Sequence, residues 1–343
     1  MVNKPVFGTT EISVRGKWIT VPSFKFGAQT IITPLKWLKI ARVHDEAWIE
    51  SEMQDPEGCM AELRQQKPRP DLFTFAQMPP GRPYDHKYHC EPDSIAVVQV
   101  EDYKAWWEGL PQETRKNVRR SERCGVRVEI KPFDDALVAD LVQLNNSSAI
   151  RQGRRYTHFG KSFEQVKKDH CSFVDRAEFL CAYFEGELIG FIKLVYRGRI
   201  ASLLNILADE KHRDKRCANA LMKTAIERCH QKGLTHLTYG FFHHGNKRDE
   251  TITLFKVRHG FEEALVPRFF IPLTLKGRLA MSVGLHRGLL GVLPNSVLTK
   301  GVALRAKWYN LYTSFTSRCS SIAERSNRNR QTGRSIPPAG SNP

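Results

Sequence analysis

Three strand-like runs in succession, followed by a basic loop that opens a long helix, constrain this chain more than any other feature. Residues 177–209, AEFLCAYFEGELIGFIKLVYRGRIASLLNILAD, carry apolar residues in three blocks, parted by turn signals at Glu185–Gly186 and Arg197–Gly198. β-Branched and aromatic residues suit a pleated, half-buried surface, and glycine in a short link supplies the positive φ that a tight hairpin needs. A strand meander is expected. EKHRDKRCANALMKTAIERCHQKG then reads as a basic loop entering an amphipathic helix that Gly233 closes. LTHLTYG is a further strand, TITLFKVRHG a helix, and FEEALVPRFFIPLT a final strand pair or a strand and loop. The order is β-β-β-α-β-α-β.

Upstream, SIAVVQV from Ser94 is an apolar strand, and DYKAWWEGL and PQETRKNVRRSERCG read as two short helices. Pro111 suits a first helical turn and Gly125 a C-terminal cap. VRVEIKPF alternates as a strand, and DDALVADLVQLNNSSAI repeats apolar residues at helical spacing. Residues 1–94 mix short β-like runs with Pro-rich loops at 68–70 and 79–83, so they are expected to form a small or incomplete α/β module. The expected division is 1–94, a main domain over 95–275, a basic amphipathic segment over 276–313 and a disordered tail over 314–343.

With 41% hydrophobic and 26% charged residues over 343 positions, wholesale disorder and fibrous structure are excluded. No apolar run approaches the roughly 20 residues of a membrane-spanning helix, and the amino terminus lacks an apolar signal block, so a cytoplasmic location is expected. Eight cysteines without a CxxC pair point to reduced thiols. His86, His89 and Cys90 come nearest to a metal cluster, but no second ligand pair follows at zinc spacing, and no metal is expected. The net charge of +17 is uneven: Lys/Arg against Asp/Glu number 12 and 12 over 1–94, 30 and 23 over 95–275, and 11 and 1 over 276–343. That polarity points to an anionic partner, whether phosphate groups, nucleic acid or a membrane face.

The passage from Glu178 to Phe261 resembles the GCN5-related N-acetyltransferase (GNAT) fold, and WWEGLPQETRKNVRRSERCGVRV is similar to the segment opening the transferase half of FemAB-like aminoacyltransferases and their uncharacterised acyltransferase relatives. The resemblance covers residues 95–275. It implies an α/β fold with a mixed, mostly antiparallel central sheet flanked by helices, beside a smaller, degenerate GNAT-like N-terminal module. It also implies an N-acyltransferase whose donor is acetyl-CoA, another acyl-CoA or aminoacyl-tRNA. The acceptor it implies is an amine or hydroxyl on an envelope or polysaccharide precursor.

A loop whose backbone amides open a helix is a ready site for pyrophosphate. Arg213, Lys215, Arg216, Cys217 and Ala218 occupy that place, with Arg216 where the resembled family has its central glycine. A long guanidinium crowds a close backbone approach, or binds the phosphate itself as a charged fork. In the resembled fold the donor's amide arm pairs beside the fourth strand, here near Asn205, Ile206 and Leu207. Asn205, a polar residue among leucines, needs partners either from the core or from a substrate. Lys256 stands where the acetyltransferase general acid is a tyrosine, and the FemAB-like relatives prefer lysine there. A desolvated lysine could steady a developing oxyanion or exchange protons. Tyr239 is an alternative donor, and His243 and His244 lie in the loop that follows.

Ile150–Lys161 gathers cations, aromatics and a histidine around two glycines, and Arg151, Gln152, Arg154, Tyr156 and His158 are assigned to the acceptor. Arg115 and Arg119 lie one turn apart on a predicted helix and call for an anion. After Thr274, apolar residues alternate with Arg278, His286, Arg287, Lys300, Arg305 and Lys307, a pattern suited to the inner face of an anionic membrane. The leading expectation is an acyl- or aminoacyltransferase. The competing ones are an RNA-binding protein on a degenerate transferase scaffold and a membrane-surface adaptor.

Overall fold

The computed structural model describes residues 7–14, 16–45, 53–77, 87–151, 154–243 and 251–287. The chain divides into a unit over Met1–Met281 and a second over Ser282–Pro343, of which 282–287 are described. Of the basic segment expected at 276–313, residues 288–313 lie outside the described residues, as do the expected tail at 314–343, His244 and Gln152. No helix among the described residues is long and apolar enough to cross a membrane.

The first unit is built on one twelve-stranded, mostly antiparallel sheet flanked by helices. Its N-terminal half comprises β1 (Phe7–Val14), β2 (Lys17–Phe26), β3 (Gln29–Ile32), β4 (Ile40–Val43), α1 (Pro56–Gln65) and β5 (Leu72–Ala76). Then come β6 (His89–Gln99), α2 (Tyr103–Gly109), α3 (Gln112–Arg123), β7 (Arg127–Lys131) and α4 (Asp135–Asn146). A small pair, β8 (Ile150–Arg151) and β9 (Arg154–Arg155), precedes α5 (Phe163–His170). The meander is β10 (Ala177–Phe184), β11 (Glu187–Arg197) and β12 (Ile200–Ala208), followed by α6 (Cys217–Gln231), β13 (His236–Phe241), α7 (Thr251–Arg258), β14 (Glu262–Pro272) and α8 (Leu275–Ser282).

The two halves are one sheet because β14, the last strand, lies between β5 and β6 and pairs antiparallel with both. FEEALVPRFFIP is therefore one continuous strand, despite Pro267. That proline faces Pro92 in β6 and lies just beyond the β14–β5 ladder, which ends at Arg268↔Ala76, so its missing N–H costs no rung there.

The two parallel pairs, β4–β5 and β12–β13, each arise from a crossover helix, α1 or α6. The stretches β2–β5 and β10–β13 thus each run strand, strand, strand, helix, strand.

The meander is buried on both faces, which explains its nearly continuous apolar runs. In β10, Leu180 and Ala182 join the core under α6, while Phe179 and Cys181 join Leu137, Leu141 and Val166 of α4 and α5. A separate core under α1 gathers Phe24, Ile31, Leu63, Phe73, Phe75 and Phe269. Burying each such side chain contributes about 1.5–3 kcal/mol.

Candidate active site

β12 and β13 pair over only three positions, Ile200↔His236, Ala201↔Leu237 and Ser202↔Thr238, where Ser202 Oγ and Thr238 Oγ1 are 2.9 Å apart. Beyond them the strands part. Gly240 takes φ 54°, β13 bulges, and its next rung is Phe241↔Ile95 on β6. β12 meanwhile stays on β11 as far as Ala208. Its edge past Ser202 therefore lacks β13 as a ladder partner, which leaves room for an extended ligand to add to the sheet.

This parting opens into a cavity of 740 Å³ between the halves, with Leu204 and Asn205 on one wall and Gly240 and Phe241 on the other. Asn205 is half-buried and sits opposite Lys193 in the β11–β12 register, next to a bulge. Ile206 and Leu207 are also half-buried and turn toward different cores, so only their backbone is available to a ligand.

Lys256, fully buried on α7, donates to the Phe241 carbonyl and lies 4.6 Å over the Tyr239 ring. Burial lowers its ammonium to about 8. Burial likewise raises the Tyr239 phenol to about 12, so Tyr239 stays protonated beneath the amine. The following glycine, Gly260, has φ 79°, and a Cβ there would stand 3.1 Å from Trp106 Nε1, so the Gly-Phe turn seats α7 against α2.

At the far end of β12 the turn Arg213–Lys215 leads into α6. Arg216 takes φ 57° and ψ 31° at the helix N-cap, the left-handed backbone that glycine adopts freely, and no side-chain hydrogen bond caps the helix. The guanidinium therefore hangs on a turn of glycine shape, and its Nε is buried without a partner. Desolvation works against ionisation of Asp214, yet the Lys215 hydrogen bond and charge, with a further contribution from Arg120 of α3, hold its carboxyl below the usual range. Lys215 also lies 4.5 Å over Phe184.

Cys217 is a core residue. Its thiol donates to the Ile189 carbonyl at 3.4 Å and is pushed up to about 12 by burial, so its backbone alone belongs to the turn. Ala218 is half-buried in the first turn of α6. Gly190 permits this packing, because a Cβ there would meet Leu207 O at 2.9 Å and Cys217 Sγ at 3.1 Å.

The residues assigned to the acceptor separate in space. Arg151 donates to Ala208 O at 2.8 Å, Leu144 O at 3.0 Å and Ser147 Oγ at 3.1 Å, and its guanidinium stacks 4.5 Å over Tyr156. It ties the end of α4 to the end of β12. Tyr156 donates to Asn145 Oδ1 at 2.9 Å, and burial raises its phenol to about 12.

His158 lines the cavity beside Asp169. The side chain of Arg154 lies outside the described residues. On α3, Arg115 is half-buried with Nε unpartnered, while Arg119 is exposed. His243 faces Glu263 at 3.7 Å.

Sequence reasoning missed the opposite wall. Glu11, Trp18, Arg42 and His44 come from the N-terminal half, and Asp169 and His170 from the end of α5. They lie in unremarkable polar stretches, and only the tertiary fold unites them. Lys193 is the exception, since a charge inside GFIKLV was a visible anomaly. It is fully buried, donates to the carbonyls of His170 and Ser172, and is lowered by burial to about 8. Glu187, Asp209 and His212 bring metal-ligand atoms within 4.8 Å of one another, but Asp209 already accepts from Ser147 Oγ and Lys211 N–H.

Residues 112–248 match the model of a family described as an acetyltransferase (GNAT) domain. Among solved structures, FemX is similar at 10% identity over 81% of this chain and 90% of that one, with a TM-score of 0.53. The C-terminal domain of an Agrobacterium fabrum protein assigned as a lysylphosphatidylglycerol synthetase is similar at 13% identity over 75% and 84% of the two chains, with a TM-score of 0.50. At these identities the likeness is one of fold. No curated protein matches.

Proposed function

Since residues 112–248 form a GNAT acyltransferase domain within a FemAB-like fold, we propose that the chain moves an acyl or aminoacyl group from a phosphorylated donor to an amine or hydroxyl of an envelope or polysaccharide precursor. The observation that carries this reading is a conjunction of three features around β12: an uncapped helix start after it, an edge of it left by its neighbour, and a buried amine that donates to the Phe241 carbonyl on the cavity wall. Each part suits one portion of a donor.

The α6 turn suits phosphate, because amides at a helix start and the dipole favour negative charge there. The unpartnered Arg216 Nε fits the same group and answers the crowding expected of a side chain in place of glycine: the backbone keeps the glycine shape while the guanidinium supplies charge. Coenzyme A, or the acceptor end of an aminoacyl-tRNA, would bring an activated carbonyl. Arg213, Lys215 and Arg216 would hold its phosphates, and the β12 backbone near Asn205 would align its arm. Lys256 would steady charge developing on the carbonyl oxygen, directly or through the Phe241 peptide it polarises. Positioning and preorganised electrostatics would then supply most of the rate.

The assigned name of the A. fabrum neighbour contains a lipid, which favours an envelope acceptor. The basic, apolar stretch after Thr274 is compatible with work at an anionic membrane surface. Thermal-shift titration of the full chain with acetyl-CoA, longer acyl-CoAs and aminoacyl-tRNA tests the donor. Saturable stabilisation by one class is expected, and a melting temperature unmoved by all three removes the transferase reading. RNA binding with a steep salt dependence and no turnover of either donor would favour the binding-protein alternative.

A further inference from the structure

Resting on the acyl-transfer reading, we propose that His158, held by Asp169, is the base that takes the acceptor's proton, and that the acceptor presents a primary amine or hydroxyl in the cavity between the halves. Three donors converge on the Asp169 carboxylate. Trp18 Nε1 reaches Oδ1 at 3.0 Å, while Lys161 Nζ and His158 Nδ1 reach Oδ2, the latter at 3.3 Å.

Tryptophan and lysine can only donate here, so both carboxylate oxygens are committed as acceptors. An imidazole lone pair aimed at Oδ2 would be repelled. His158 therefore carries its proton on Nδ1 and leaves the Nε2 lone pair free, the arrangement a carboxylate imposes on a catalytic imidazole. Desolvation opposes ionisation of Asp169, but the hydrogen bonds from His158 and Lys161, the Lys161 charge and the Trp18 bond outweigh it and hold the carboxyl at about 2.

Exposure separates the partners. The Asp169 side chain is 7% exposed and that of His158 35%, so the carboxylate is fixed and the imidazole is accessible. The other histidines on the cavity wall are less suited. His170 is buried, with Nδ1 unpartnered, and packs edge-on against Phe191. His44 faces Asp45 at 3.4 Å, but that carboxylate is 41% exposed. Trp18 belongs to β2, so the N-terminal half braces a dyad whose two members belong to the C-terminal half.

In the reaction, the acceptor nitrogen or oxygen attacks the donor carbonyl and forms the new C–N or C–O bond. His158 Nε2 takes the proton the nucleophile loses. The C–S bond of a thioester or the C–O bond of an ester breaks, its electron pair leaves with sulfur or oxygen, and the imidazolium returns the proton to that atom. Asp169 is a positioning residue. It fixes the tautomer and steadies the imidazolium.

The test begins with nitrogen-15 NMR of the histidine rings in the full chain, with His158 assigned by His158→Gln. The expected spectrum shows a protonated Nδ1 and a bare Nε2, with Asp169→Asn erasing the preference and Trp18→Phe weakening it. A proton on Nε2 in the wild-type chain overturns the dyad. Transfer from acetyl-CoA or aminoacyl-tRNA to a panel of primary amines is then measured. His158→Gln should lower kcat by about 100-fold or more with donor KM unchanged. Unchanged kcat in His158→Gln removes the base while leaving the transferase standing. A wild-type chain that turns over neither donor, by amine or by water, removes the transferase reading and this proposal with it.

Discussion

The two halves of the sheet repeat one plan with opposite treatment of the helix that follows the meander. In the N-terminal half, α1 begins with Pro56, and the Asp55 carboxylate accepts the Gly58 amide at 2.8 Å. That helix start already holds an anion of its own. β4 is four residues long, and three of them pair with β5. In the C-terminal half, α6 starts uncapped behind a left-handed arginine with Arg213 and Lys215 beside it, and β12 runs well past its pairing with β13. A capped helix and a closed strand pair cannot take a phosphorylated, extended ligand, whereas an open start and a parted pair can. One half has the features of a donor site. The other contributes a wall, including Trp18 and Arg42.

Predictions follow from that contrast, in falling order of effect. Lys256→Met removes the amine at nearly constant volume and should cost at least about 100-fold in turnover, while the melting temperature holds, because a buried ammonium is replaced by an apolar group. The pH dependence carries the same information. Lys256 is lowered by burial to about 8, so its cation is present below that pH and lost above it. A step needing the cation should slow as pH rises through about 8. Because the folded value lies below that of the unfolded chain, the cost of burying this charge is fully felt below 8 and eases at higher pH. A rate that instead rises through pH 8 would recast Lys256 as a base.

Gly190→Ala should come next. Its methyl would press on Leu207 O and Cys217 Sγ, prising the start of α6 from β11. We expect about 1–3 kcal/mol of destabilisation, read by chemical denaturation, with a parallel loss of donor affinity. Arg216→Gly then separates backbone from charge. Glycine keeps the left-handed turn and relieves about 1 kcal/mol of strain, so the variant should melt higher yet bind acetyl-CoA or aminoacyl-tRNA about 10-fold more weakly. Equal donor affinity would show that the guanidinium holds no phosphate.

The smallest effect is expected in the closed half. Asp55→Ala should cost about 1 kcal/mol through the lost cap and leave donor binding unchanged. Altered donor binding there would break the contrast between the halves.

Much of the fold was legible in the sequence because it rests on local signals. The meander, its turns at Glu185–Gly186 and near Gly198, and the strand-helix-helix succession from Ser94 all stand where their patterns place them. Lys256 and Arg216 stood out only against the pattern of the resembled family, as a lysine in a tyrosine's place and an arginine in a glycine's; the structure buries the first and gives the second a left-handed backbone. Arg151 and Cys217 show the limit. Composition assigned Arg151, and position in the helix-start loop assigned Cys217, to ligands, but hydrogen bonds and packing place the Arg151 guanidinium on three main- and side-chain oxygens and the Cys217 thiol in the core.

By itself, the sequence determined the meander, the order of the elements that follow it and the basic entry to α6, because propensity and turn chemistry act over a few neighbouring residues. Tertiary structure alone decided that β14 joins the halves into one sheet and that Trp18 meets Asp169 across 151 residues. It also decided that both buried lysines, Lys193 and Lys256, donate to carbonyls of residues that line one cavity. Such meetings depend on long-range strand pairing and on water being driven from shared apolar surface, and no local pattern encodes them.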